Sequence, residues 1–536
     1  MKLNKKELIN RKQWEEAGFS LPKFDIEAVT AETKANPAWI HLGAGNIFRA
    51  FPANVQQNIL NSNLSKTGII AAEGFDYEII EKLYRPHDNL GVLITLKADG
   101  TIEKTVVGSV TESLVLDPKN NDWARLIEIF TNKSLQMISF TITEKGYNLY
   151  DIKGNFYENV QKDFENGPSA PESYIGKVAG LLYARYEAGK LPVAMVSMDN
   201  CSHNGDRLYG AIEAFAKKWS ENGRADMGFY DYIKSPDSVS FPWSMIDKIT
   251  PRPDDSVAKM LKESGFDDID TQITAKNTYI STFVNAEEVQ YLIIEDKFPN
   301  GRPNLDMGGI IFTDRETVDK VEKMKVCTCL NPLHTALAIY GCLLGHTLIY
   351  KEMRDAELKK LVEIIGYKEG LPVVVDPKII SPKTFIDEVL QKRVVNPFMP
   401  DSPQRIATDT SQKLGIRFGE TIKSYIESDS LKISDLKLIP LVLAGWCRYL
   451  LAIDDDGNAF ELSSDPLLDT VRPYLKNVEI GKIRDFHDDL EPILSNETIF
   501  AVNLYKVGLG EIVEKYFAEL VAGVGSIRAT LIKYVG

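Results

Sequence analysis

The sequence predicts an α/β chain with a Rossmann-like N-terminal domain and a mostly α-helical C-terminal domain. Three observations predict it. Short β-rich apolar runs alternate with helical patterns through the first part of the chain, and one of those strands ends in a Gly-x-Gly turn. Beyond about residue 330 the apolar spacing becomes helical. At 536 residues the chain exceeds one ordinary core, so two or more domains are expected.

The strands come in order at 38–42, 67–72, 135–143 and 191–197. Each is a continuous apolar run, the pattern of a mostly parallel sheet covered on both faces. The segment before Pro37 reads as a surface arm or a short extra helix. The turn-rich run Phe298-Pro299-Asn300-Gly301-Arg302-Pro303-Asn304 closes the first domain, which gives domains 1–316 and 317–536. In the second, Asn331-Pro332 signals a start, with Asn as N-cap and Pro at the first helical position of an amphipathic helix. Residues 438–451 and 512–524 continue in that style.

Composition narrows the function. Net charge is −14 with no long Lys/Arg run to offset it, which disfavours a nucleic-acid partner. No stretch of about eighteen uninterrupted apolar residues argues for a membrane span, and the N-terminal run lacks the apolar core of a signal peptide. Five scattered cysteines, an odd number, argue against a disulfide framework and fit a reducing cytoplasm. An anionic substrate would meet mild long-range repulsion, so it would need a local cationic pocket.

The run Trp39-Ile40-His41-Leu42-Gly43-Ala44-Gly45-Asn46-Ile47-Phe48-Arg49 is a strand entering a helix through two glycines. Gly43 and Gly45 allow a tight turn and close approach of a pyrophosphate to amides near Asn46. Phe48 stands where the usual third glycine would be, so a generic strand–turn–helix stays open. Glu73 and Asp76 follow the second strand, roughly where a carboxylate would meet an adenosine ribose and favour NAD over NADP. Either could equally be an ordinary solvated charge.

Glu322 to His334 is the densest chemical stretch. Lys325 offers a proton-transfer group, and a lysine serves at neutral pH only where burial or nearby positive charge disfavours its ammonium form. Asn331 and His334, three apart, share one side of a first helical turn and could hold a carbonyl oxygen. The plain alternative is a cap, a packed histidine and a surface charge. Cys327, Cys329 and His334 could suggest zinc, but Cys-x-Cys with no second pair reads better as two small core residues on one face of a strand, with no metal.

Across nearly its whole length the chain resembles the polyol-specific long-chain dehydrogenase/reductase family, also called the mannitol dehydrogenase family. The matching segments begin with the Gly43–Ala50 run, Phe140-Thr141-Ile142-Thr143-Glu144-Lys145-Gly146-Tyr147 and Ser197-Met198-Asp199-Asn200. They continue with 241–251, Ile294-Glu295-Asp296-Lys297-Phe298 and Leu443-Ala444-Gly445-Trp446. The resemblance implies an NAD-dependent oxidoreductase with a metal-free active site. It makes Lys325 the general acid/base, Asn200 and Asn331 the oxyanion pair, and His334 the group that orients the substrate hydroxyl. Glu322 is implied in proton exchange with solvent, and Asp247 and Glu144 are placed with the substrate. Gly43, Gly45, Asn46, Phe48, Arg49, Glu73 and Asp76 form the implied cofactor set.

One departure stands out. Between Lys325 and Asn331 this chain carries one residue more than the family usually has, which a bulge or altered strand end would have to absorb. The runs 296–303 and Ser411-Gln412-Lys413-Leu414 look like the hexuronate branch, and Arg393 matches a family arginine that could grip a carboxylate. The resemblance therefore implies reduction of a ketouronate, D-fructuronate to D-mannonate, by a monomer or small homo-oligomer. Mannitol, arabinitol or tagaturonate chemistry stays open, as does a non-catalytic protein that binds nucleotide or sugar acid.

Overall fold

Six parallel strands, β1 (Trp39–Leu42), β2 (Ile69–Glu73), β3 (Val110–Val115), β4 (Met137–Phe140), β5 (Val193–Ser197) and β6 (Val239–Ser240), form one sheet in the order β3-β2-β1-β4-β5-β6. The order reverses between β1 and β4. That switch point is where sheets of this kind take ligands, beyond the carboxyl ends of the strands. Alternation along the strands explains why they read as unbroken apolar runs. Ile40, Leu42, Ile70, Ala72, Ile138 and Phe140 join one buried cluster, and Trp39, Ile69, Ala71 and Met137 join another. Each face is covered, so both need apolar side chains.

The structure is a computed structural model describing residues 1–536. It divides into an N-terminal unit, 1–97 with 101–319, and a C-terminal unit, 98–100 with 320–536.

The leading segment carries short helices, α1 (Arg11–Glu16) and α2 (Ile26–Ala35), as one of its two readings expected, but it is packed into the unit and not a surface arm. Its strand Phe19–Ser20 pairs with Ile102–Val107 in a second sheet that also holds Gly91–Leu96 and Phe283–Glu287. Leu3 and Trp14 are fully buried, and the Met1 ammonium bonds to Asp267 at 2.8 Å. Tertiary packing overrides a polar local sequence here. A third, small sheet joins Ser244–Asp247, Tyr291–Glu295 and Ile311–Thr313.

In the C-terminal unit α3 (Asn331–Leu343) and α4 (Leu438–Tyr449) are buried almost all round rather than amphipathic. Gly445 is required at their contact, because the Tyr340 ring lies where a Cβ would project, and the Tyr340 hydroxyl donates to the Leu441 carbonyl at 2.8 Å. The start of α4 has no local side-chain cap. Buried Glu369 supplies one from a distance, accepting the amides of Lys437, Leu438 and Ile439 at 2.7–2.8 Å.

The segment before α3 differs most from expectation. Arg315–Lys323 is a helix, and Met324–Cys329 continues it as a π-helical turn straight into α3. Cys327 and Cys329 therefore lie on a helix, not a strand. Asn331 is the first residue of α3 with no capping bond from its side chain, and Leu330 flanks it. A π turn takes one more residue than an α turn, and such turns are frequent at functional sites. The stretch between Val326 and Leu330, where the resemblance places an extra residue, is thus helical. The helical run Arg315–Leu343, 29 residues, is long and apolar enough to cross a membrane, yet 78% of its apolar window is buried within the protein, as in a core helix.

Candidate active site

The glycine turn is built tightly. Gly43 has φ +104, and a Cβ there would collide with the Thr141 carbonyl, so both backbone angle and space demand glycine. Gly45 precedes the short helix Asn46–Ala50 and has open space in front of its Cα. Beneath the turn lies His41, fully buried, its ring nitrogens bonded to Ser139 Oγ at 2.7 Å and Thr141 Oγ1 at 2.8 Å. Burial pulls its pKa down to about 3, so the ring stays neutral. Thr141 Oγ1 in turn donates to the Gly43 carbonyl at 3.0 Å.

Phe48 is enclosed and stacks on His41 at 4.2 Å, so its side chain is structural. Arg49 is likewise buried and donates to the Thr282 carbonyl at 2.7 Å and to Asn46 Oδ1 at 3.4 Å. Glu73 is turned toward the glycine turn. It accepts the Ala44 amide at 2.9 Å and those of Phe75 and Asp76 at 2.8 and 3.2 Å. Burial outweighs those bonds and holds its carboxyl above the usual range. Asp76 is elsewhere, accepting from Thr274 Oγ1 at 2.6 Å. Beside the end of β2 opens a cleft of about 710 Å³, lined among others by Gly74, Asp76, Tyr77, Lys145, Tyr174 and Lys177.

At the end of β4, Thr143 adopts a left-handed backbone, φ +64, rare for a β-branched residue. Asp199 holds it there, accepting the amides of Ile142 and Thr143 at 3.0 and 2.9 Å and the Tyr147 hydroxyl at 2.5 Å. Glu144, next in the chain, is exposed and paired with Arg207 at 2.9 Å. Asn200 follows Asp199 on an exposed turn. Asn204 ties that turn to the strand ending in Asp247. Its Nδ2 donates to the carbonyls of Ser197, Asp199 and Ser244, and its Oδ1 accepts the Ser244 amide at 3.0 Å. Asp247 itself is buried.

In the C-terminal unit Lys325 lies on the π turn, 5% exposed, with Glu322 one turn before it and half-buried. Asn331 and His334 open α3, both half-buried. His334 Nε2 faces Asp401 at 3.8 Å. Burial holds its pKa at about 4; Asp401 pulls the other way, and Arg417, Arg393 and Arg405 add to the lowering. Arg393 closes another π turn, Val389–Arg393, and Arg417 sits on a further one, Gly415–Gly419. Three cationic residues are thus each presented by a π turn. No group of three or more His, Cys, Asp or Glu side chains is arranged to hold a metal ion.

Residues 37–307 match the model of the mannitol dehydrogenase Rossmann domain, and residues 317–519 that of the mannitol dehydrogenase C-terminal domain. The chain belongs to the mannitol dehydrogenase family. It is 51% identical to the D-mannonate oxidoreductase of Thermotoga maritima, over 100% of this chain and 99% of that one. It is 27% identical to the D-mannonate oxidoreductase of Escherichia coli, over 81% and 86%. Among solved structures it is similar to a substrate-free D-sorbitol dehydrogenase (TM-score 0.78, 24% identity, 96% and 98% covered). It is also similar to the Pseudomonas fluorescens mannitol 2-dehydrogenase in complex with NAD and D-mannitol (TM-score 0.68, 24% identity, 99% of each chain). Membership makes the chain an oxidoreductase with the family's Rossmann fold.

Several residues that hold these elements in place have no motif to announce them. His41 was detectable only as a polar residue inside an apolar strand. Asn204 and Glu369 act through backbone groups distant in sequence, and nothing in their own neighbourhoods signals that.

Proposed function

We propose that this protein reduces a ketouronate, D-fructuronate to D-mannonate, with NADH. The observation that carries the reading is the end-to-end likeness, 51% identity, to a protein named D-mannonate oxidoreductase.

The residues present fit the cofactor. Gly43 leaves no room for a side chain, and Gly45 leaves open space before the amides of Asn46–Ala50, where a pyrophosphate would lie. The cleft past β2 would take the adenosine, with Glu73 closer to the glycine turn than Asp76. When bound, NADH supplies hydride to the ketone carbon. The chain's own residues do the rest. Lys325 delivers a proton to the emerging alkoxide oxygen, and Asn200 and Asn331 donate hydrogen bonds to it while charge develops. His334, kept neutral, orients the substrate hydroxyl, and Glu322 passes protons between Lys325 and solvent. Asp247 and Glu144 position the sugar, and Arg393 binds its carboxylate. We place the reaction in the cytoplasm, where all five cysteines would stay as free thiols.

Steady-state NADH oxidation against D-fructuronate, D-tagaturonate and D-fructose tests the reading. D-Fructuronate should give the highest kcat/KM. A neutral ketose turned over faster than either ketouronate would overturn it, and NADH binding with no turnover on the panel would mark a binding protein.

A further inference from the structure

Arg417 is a cation that the chemistry above leaves without a task. It is half-buried on its π turn, and its Nη1 donates to the hydroxyl of Thr335, the residue after His334. A neutral hydroxyl is thus the side-chain partner of a guanidinium. Nearby Arg405, in contrast, is paired with Asp401, the carboxylate that also faces His334. Burial lowers the Arg417 pKa to about 10, and no acidic neighbour counters it. Lys413, whose ammonium donates to the Thr408 carbonyl, stands near enough for the two like charges to oppose each other. A half-buried guanidinium without an anion, beside a second cation, is costly unless a ligand completes it. Its planar fork of N–H groups matches the two oxygens of a carboxylate.

We infer that Arg417 shares the substrate's terminal carboxylate with Arg393 beside His334, and is the residue that selects sugar acids over neutral polyols. The inference rests on the ketouronate reading of the previous section. A chain of net charge −14 can then accept an anion, because the attraction is local and short-ranged.

The test compares wild type, Arg417→Met and Arg417→Lys. KM and kcat are measured with D-fructuronate and D-fructose, and Kd by calorimetry for D-mannonate and D-mannitol on the NAD-saturated protein. Thermal melts confirm that each variant folds. Arg417→Met should raise KM for D-fructuronate and Kd for D-mannonate roughly 30-fold or more, the scale of losing one partner of a desolvated charge pair. Values for D-fructose and D-mannitol should change little, and Arg417→Lys should recover part of the acid preference. Equal losses on acid and neutral ligands, unchanged acid binding, or a wild type with no preference for D-mannonate would each overturn the inference. Arg417-dependent binding of D-mannonate without turnover of D-fructuronate would instead uphold it and sink the proposed reaction. Turnover of D-fructuronate indifferent to Arg417 would do the reverse.

Discussion

The backbone N–H of Leu330 donates to the carbonyl oxygen of Lys325 at 3.1 Å, reaching five residues back where an α-helix would reach four. That bond ends the π turn that carries Lys325 and runs into α3.

If Lys325 is the proton donor, Lys325→Ala should lower kcat by the ~10²–10⁴ of a positioned acid or base. NADH affinity should stay near that of wild type. Near-full turnover in this variant would remove Lys325 from the mechanism. Deleting Cys327, a half-buried residue of the π turn, should convert that turn to an α turn and keep Lys325 facing the same way. The deletion variant should therefore retain activity within about tenfold, a far smaller loss than that of the alanine variant.

Glu352 should make the protein less stable in alkali. Its carboxyl is fully buried, both oxygens lack a hydrogen-bond partner, and burial pushes its pKa up to about 9. The folded state therefore keeps a proton that the unfolded chain releases near pH 4.5. The stability this gives is complete below that pH and is lost as pH rises through about 9. Glu352→Gln should remove the dependence, so its melting temperature should exceed that of wild type by a few degrees at pH 8.5 and match it near pH 5. Identical pH profiles would show that Glu352 is solvated.

His41 acts with the opposite sign. Held at about 3 in the fold and near 6.5 when unfolded, it binds fewer protons folded than unfolded. Its contribution to stability is present above pH 6.5 and shrinks as pH falls toward 3. His334, held at about 4, adds to the same acid-side loss. His41→Leu would leave Ser139 and Thr141 short of partners, a cost of about 1–3 kcal/mol. It should also loosen the Gly43 turn, seen as weaker NADH binding in a fluorescence titration. Unaltered NADH affinity would confine His41 to packing.

Asn204→Ala should separate positioning from binding. Removing the clamp between the Asn200 turn and the strand ending in Asp247 should lower kcat more than it alters the Kd of NADH. A loss confined to cofactor affinity would contradict that role.

The Rossmann half was legible because both of its devices are local. A parallel sheet writes unbroken apolar runs, and the turn needs glycine at Gly43 wherever it occurs. The strands Val110–Val115 and Val239–Ser240 write no unbroken apolar run, the first for its polar Thr111 and Glu112 and the second for its two-residue length. The helices of the N-terminal segment are local and legible, but its burial is not, because Leu3 and Trp14 are enclosed by the folded chain. The residue types around Lys325 were readable, but their geometry was not. A π turn differs from a strand or an α turn by one hydrogen-bond step, and no residue pattern encodes that step. Arg417 stayed hidden because its meaning lies in the hydroxyl it meets, which only the folded chain supplies.

A helix that can swallow a residue changes what a length difference means. Along this lineage, gain or loss of one position between Lys325 and Asn331 need not shift the flanking turns or interrupt descent through active intermediates. A gap at that place in an aligned pair of relatives would then record a change of winding, not the decay of an enzyme.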